Sequence, residues 1–254
     1  MENHKSNSIY EQLVSSELDQ WKVKMRKSPS FWENSTKRVQ TKINKVIPER
    51  VHQAITAAIK QMTKGVLFGS GFTTKSRPII GSLEEVEAQV KERINFYSSS
   101  AAVEGAATGF GGFLLSLADF PLWLTLKMKM LFEIASRYGY DTNDYKERVY
   151  ILYIFQLTFS SQKNRNELFE TLENWTISKD QLPADLNDLD WRTFQLEYRD
   201  YIDLAKLIQL IPGIGAIAGA WVNHKYTNKL GNTAINAYRI RHDKFKKVRL
   251  IESQ

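Results

Sequence analysis

Glu104 and Asp119 border an uncharged stretch, 105–118, and are the first residues to weigh as a polar site. Two carboxylates converging in an enclosed cleft would supply the acid and the base of a hydrolytic reaction. Ionisable groups beside a membrane or cavity are costly to keep, which is why they often mark function. Each also has a plainer role: Glu104 as an interfacial residue, Asp119 as the N-cap of a helix opening at Phe120-Pro121. The plainer roles are the expected ones, and a soluble hydrolase with Glu104 and Asp119 in a cleft is the alternative.

Other catalytic chemistry is sparse. The chain has no cysteine, so it has no disulfide, no thiolate metal site and no thiol nucleophile. Its four histidines, His4, His52, His224 and His242, are too scattered for a metal centre, and none is expected. Ser98, Ser99 and Ser100 lack a nucleophile context. Gly213-Ile-Gly215-Ala-Ile-Ala-Gly219 superficially looks like a dinucleotide fingerprint, but Pro212 precedes it where a strand should, and no acid follows at the required distance. Lys64-Gly65 and Lys75-Ser76 have no glycine array before them, so neither is a phosphate loop. No cofactor is expected, and a non-enzymatic role is favoured.

The glycines carry a clearer pattern. Of 13, ten fall in three apolar clusters that contain Gly65-Val-Leu-Phe-Gly69, Gly105-Ala-Ala-Thr-Gly109 and Gly215-Ala-Ile-Ala-Gly219. Glycine weakens a helix by about 1 kcal/mol relative to alanine, so its recurrence at i, i+4 marks faces where backbones approach closely, in or against a membrane. Gly65, Gly69, Gly105, Gly109, Gly215 and Gly219 are therefore expected at helix packing or membrane contacts.

Charge is segregated rather than spread. Residues 1–21 carry −3; residues 22–81 hold 13 basic and 2 acidic side chains, 82–206 hold 13 and 20, and 207–254 hold 8 and 2. Arg239, Arg241, Lys244, Lys246, Lys247 and Arg249 crowd into eleven residues opposed only by Asp243. Cations beside apolar segments suit an anionic membrane surface, at about 1 kcal/mol per engaged charge. Nucleic acid also rewards basic stripes, but stacking aromatics among them would be its mark, and it is not the expected partner. Residues 1–21 have neither the basic start nor the apolar core of a signal peptide, so a cytoplasm-facing setting is expected.

Helices must position all of this. Tyr10, Val14, Leu18, Trp21 and Met25 repeat at 4, 4, 3, 4, as do Val51, Ile55, Ile59, Met62 and Val66 after Pro48. Between them Ser28-Pro29 opens another helix, and 69–81 is a break. Ser82-Leu83-Glu84-Glu85 is a capping box, followed by the stripe Val86, Val90, Ile94, Tyr97. Gly139 stops a helix and 141–144 caps the next, which is rich in Tyr150, Tyr153, Phe155 and Phe159. A polar insert, 160–190, holds a short helix over 164–175 and a loop, and Trp191 opens another helix. The uncharged stretch 207–223 is broken by Pro212-Gly213, and a basic helix covers 225–250. Spans need about 20 apolar residues, so 105–126 and 207–223 read as apolar hairpins that pack on each other.

Ala101-Ala-Val-Glu-Gly-Ala-Ala-Thr-Gly-Phe-Gly-Gly through Leu117-Ala-Asp-Phe-Pro-Leu, paired with Ile211-Pro-Gly-Ile-Gly-Ala-Ile-Ala-Gly-Ala, resembles the EcsC family of bacterial proteins. The resemblance runs from about Tyr10 to the tail. It implies a mostly helical protein, named for the third gene of an operon whose other products form an ABC transporter, and it implies no established reaction. The expectation is an all-α, compact multi-helix bundle with glycine-rich apolar helical hairpins, forming one domain over 1–254. Its expected role is that of an accessory protein on the cytoplasmic face of the bacterial cell membrane. Its expected partners are the anionic membrane surface and ABC transporter subunits.

Overall fold

A computed structural model of the chain describes residues 2–27, 49–69, 72, 81–108, 120–190, 192–194, 202 and 219–252. The fold is all-α. Helices α1 (Glu2–Arg26), α2 (Glu49–Phe68), α3 (Leu83–Thr108), α4 (Phe120–Arg137), α5 (Tyr145–Phe159), α6 (Gln162–Glu173), the single turn α7 (Trp175–Ser178) and α8 (Gly219–Glu252) follow in order. Among the described residues the only β pairing is an isolated bridge between Ser160 and Ile202.

The helix boundaries have local causes. Ser82 and Glu85 close the capping box before α3, with Ser82 N donating to Glu85 Oε2 at 2.7 Å and Glu85 N to Ser82 Oγ at 3.3 Å. Pro121 sits in the first turn of α4, where its missing N–H costs nothing. Gly139, at φ +84°, ends that helix, with Gly139 N bonded to Ser136 O and Tyr140 N to Ala135 O. That pair of bonds is a Schellman stop, and the left-handed residue it needs favours glycine. Asp144 caps α5 by accepting from Lys146 N.

Packing follows the apolar stripes. Ile55, Ile59, Met62 and Val66 of α2 and Val86, Val90, Ile94 and Tyr97 of α3 are all buried. On α1, Val14 and Leu18 are buried and Trp21 meets Phe169 of α6 edge-on at 5.5 Å. Helix α5 is buried almost all round, as an evenly apolar helix must be. The polar insert is a series of short pieces: α6, α7 and two 3₁₀ turns, with Leu182, Leu186 and Leu189 tucked against the core.

Helix α8 is the axis of the molecule, packing most extensively on α3 and also on α5, α4, α1 and α6. It approaches α3 closely at Gly231, where an added Cβ would stand 2.5 to 2.9 Å from three side-chain carbons of Ile94. Ile94 is buried and β-branched, so it has no room to yield.

The bundle has two unlike poles. At one, the start of α4 meets the start of α8, with Trp123 Nε1 donating to Asn223 Oδ1 at 2.6 Å. His224 Nδ1 lies 3.4 Å from the Ser98 carbonyl of α3, and Phe159, at the end of α5, stacks on Tyr226. At the other pole the start of α3, the end of α4 and the start of α5 surround Arg239 and Arg241 of α8. Asn223 and Arg241 are separated by about 27 Å of helix.

Candidate functional site

The charged pole is built on α8. Arg239, nearly buried, makes a two-pronged contact with the fully buried Glu87 of α3, Nε to Oε1 at 2.7 Å and Nη2 to Oε2 at 2.5 Å. Its Nη1 donates to Glu17 of α1 at 2.9 Å. Tyr10 donates to Glu87 Oε2 at 2.7 Å and Tyr138 to Oε1 at 3.3 Å. Four donors thus surround one buried carboxylate, as burying a charge requires. Burial disfavours the charged guanidinium, but the hydrogen bonds and charge of Glu87 outweigh it and raise the Arg239 pKa. Burial, reinforced by Glu87, pushes the Tyr10 and Tyr138 phenols up and keeps them protonated as donors.

Two residues on, Arg241 Nη1 donates to Glu147 Oε2 of α5 at 2.6 Å, and Tyr238 donates to Oε1 at 2.8 Å. The Arg241 guanidinium lies 3.6 Å from the Tyr140 ring centre and 4.6 Å from that of Tyr150. Tyr238 stacks between Tyr138 and Tyr140 at 5.1 Å from each, which joins the two networks into one. Burial raises the Glu147 pKa despite Arg241 and Tyr238. For Arg241 the balance is reversed: burial opposes its charge, and Glu147 with the surrounding tyrosines overrides it.

Every charged group in this cluster is met by a partner of opposite charge or by a phenol. The arrangement clamps α8 to α1, α3 and α5, and no pair in it is set up as nucleophile and base. Beside it, a groove of about 1330 Å³ runs between α1 and α8, with Gln12, Ser16, Lys91, Asn232, Asn236 and Arg239 in its walls. Among the described residues, no group of three or more metal-ligating side chains comes together.

The expected site residues are placed as follows. Arg239 and Arg241 turn inward, which corrects their assignment to an anionic surface: their charges are spent on Glu87, Glu17 and Glu147. Lys244, Lys246, Lys247 and Arg249 continue along α8 beyond that pole. Gly65 and Gly69 lie at the end of α2 rather than at a helix crossing. A Cβ on Gly65 would meet only Phe72, at 3.5 Å, and Gly69 N bonds to Gly65 O. Arg148 caps that end, donating to the carbonyls of Leu67 at 3.0 Å and Gly69 at 3.2 Å. Glu104 and Gly105 fall in the last turns of α3, and Gly219 opens α8. Asp119, Gly109 and Gly215 lie outside the described residues, as does the helix expected from Ser28-Pro29.

Glu87, Glu147 and Gly231 were not singled out by their sequence pattern, although each leaves a trace there. Glu87 stands three residues before Val90 and seven before Ile94, inside the apolar stripe of α3. Glu147 stands two residues before the run 149–155, which is wholly apolar and aromatic. Gly231 is a lone glycine amid a helical pattern, far from either end. Such a glycine costs about 1 kcal/mol and usually has a packing reason.

The apolar pole is the second candidate surface. Leu122 of α4 stands 54% exposed there, whereas the exposed Phe96 lies mid-way along α3 with the Arg93 guanidinium 4.5 Å from its ring centre. The uncharged stretches 105–118 and 207–223 lead from the end of α3 and into the start of α8. Among the described residues no helix is long and apolar enough to cross a membrane.

Comparison with known proteins agrees over nearly the whole chain. Protein EcsC of Bacillus subtilis (strain 168) is 43% identical over 231 residues, 91% of this chain and 95% of its own length. A second protein of that strain, named "Uncharacterized protein YdbA", is 28% identical over 95% of each chain. No solved structure matches. The model of the EcsC protein family matches residues 12–242, and with that coverage the chain belongs to the EcsC protein family.

Proposed function

We propose that this chain is a membrane-associated, non-enzymatic accessory protein of an ABC transporter, working at the cytoplasmic face of the bacterial cell membrane. The observation that carries the reading is the apolar pole. The start of α4 meets the start of α8 where Leu122 is exposed, and uncharged stretches of 14 and 17 residues follow on from the end of α3 and lead into α8 in the sequence. Lys206 and Lys225 flank the second stretch, the pairing of apolar surface with cations that an anionic leaflet attracts.

A span needs about 20 predominantly apolar residues, and the two uncharged stretches number 14 and 17, which favours shallow insertion over crossing. Glu104 and Asp119 bracket the stretch 105–118 in the sequence, where ionisable groups beside an apolar segment are costly to keep. The transporter link rests on the family resemblance, with the transporter subunits as protein partners. Membrane fractionation of expressing cells tests attachment: the protein is expected in the pellet after a high-salt wash. Full recovery in the soluble fraction at low salt overturns the reading.

A further inference from the structure

We infer that the groove between α1 and α8 is a binding site for an extended, acidic segment of a partner protein, independent of membrane attachment. Its walls follow α1 from Gln12 to Lys27 and α8 from Asn232 to Arg239, with Lys91 of α3 beside them. These walls carry carboxamides: Gln12 and Gln20 on α1, Asn232 and Asn236 on α8. Gln12, Gln20 and Asn232 are exposed. Asn236 spends its amide N–H on the Asn232 carbonyl at 2.9 Å, and its Oδ1 meets no donor among the described residues. A shielded acceptor without a donor is costly, and a modest turn about the soft χ2 of asparagine presents it to an N–H lying in the groove.

The amides select a peptide. A carboxamide offers one donor and one acceptor, the same pair that a peptide group carries. Side chains at i and i+4 on a helix stand about 6 Å apart, close to the two-residue repeat of an extended chain, about 6.6 Å. Asn232 and Asn236 therefore match alternate peptide groups of one strand, and Gln12 and Gln20, eight residues apart, match every second repeat. A helical ligand would offer these rungs nothing, because its N–H and C=O groups are already paired. From Gln12 to Lys27 α1 runs about 22 Å, which is room for about six or seven extended residues. Trp21, the aromatic among the described lining residues, is partly buried and edge-on to Phe169 at 5.5 Å, so a base or sugar finds little open ring to stack on. Charge then selects the sequence class. Arg239 holds the Glu17 carboxylate at 2.9 Å, and Lys24, Lys27 and Lys91 outnumber Asp19 along the walls. Acidic side chains on the peptide complement that excess.

A phage-displayed library of random decapeptides selected on the full chain tests this, with enriched sequences remade as fluorescein-labelled peptides and measured by polarisation. The enriched peptides are expected to be net acidic and to lose binding when alternate backbone amides are N-methylated. A Q12A/Q20A/N232A variant, altered only at exposed side chains, is expected to keep its melting temperature and to bind them about tenfold more weakly. K24E/K91E, which leaves every carboxamide in place, should weaken them by about as much, and the loss should shrink as salt is raised. A library that yields no sequence above background overturns the inference. So do enriched peptides without net negative charge, full binding after N-methylation, or parent-like affinity in either variant.

Discussion

Arg239 and Glu87 stand 152 residues apart in the chain and meet through two parallel hydrogen bonds at 2.7 and 2.5 Å, in a site where Glu87 is wholly shielded from solvent. Their pairing fixes the register of α8 against α3, and Glu17 and Tyr10 extend it to α1. Removing one partner strands the other's charge in the interior, which costs about 3–5 kcal/mol, whereas replacing both with apolar side chains of similar volume is far milder.

Glu87→Met is accordingly expected to lower unfolding stability by about 3 kcal/mol or more, and Arg239→Met by a similar amount. The double variant E87M/R239M should be more stable than either single one. Denaturant melts of the four proteins measure this, and an additive double variant would mean that the pair does not act as a unit.

Gly231 predicts a steric effect of a different kind. Gly231→Ala places a methyl within 2.9 Å of Ile94 and should destabilise by about 1–3 kcal/mol through overpacking. In an Ile94→Ala background the same change should cost almost nothing, since the obstructing carbons are gone. Equal costs in the two backgrounds would show that α3 and α8 do not approach at this point.

Glu133 gives the sign of one pH effect. Burial alone would raise its pKa, but hydrogen bonds from Arg93 Nε at 2.6 Å and Tyr97 at 2.7 Å outweigh burial and hold it below its ordinary 4.5. A carboxylate lowered in the folded state contributes stability above its unfolded pKa and loses it as pH falls through the folded value. The stability gap between the parent and Glu133→Gln should therefore be full at neutral pH and close below pH 4.5. Glu147, raised by burial, runs the other way: its contribution falls as pH rises from the ordinary carboxylate value through the folded one. Thermal melts across that range, with Glu147→Gln as the counterpart, check both signs.

The apolar pole predicts a separation of binding from folding. Leu122→Asp alters a side chain more than half exposed, so the melting temperature should move little. Binding to anionic vesicles should weaken about tenfold, because the change replaces apolar area with a charge at the lipid boundary. Unchanged vesicle binding in this variant would show that another face carries attachment.

The sequence by itself determined what is settled within a turn or two of helix. The capping box at Ser82 and Glu85, the stop at Gly139, the cap at Asp144 and the buried stripes of α2 and α3 all follow from contacts three or four residues apart. Family membership was legible for the same reason, being carried by contiguous motifs. The charge count along the tail was legible too, but not which way each cation faces. Only the tertiary structure decided that Arg239 and Arg241 turn inward, because their partners lie on helices 94 to 222 residues away and the carboxylates they meet there outweigh the preference of a lone arginine for water. It likewise decided that Gly231, rather than Gly65 or Gly69, allows a close helix crossing. A helical glycine reports a face without a bulky side chain, and what meets that face, Ile94 of another helix at Gly231 but only Phe72 at Gly65, belongs to the fold.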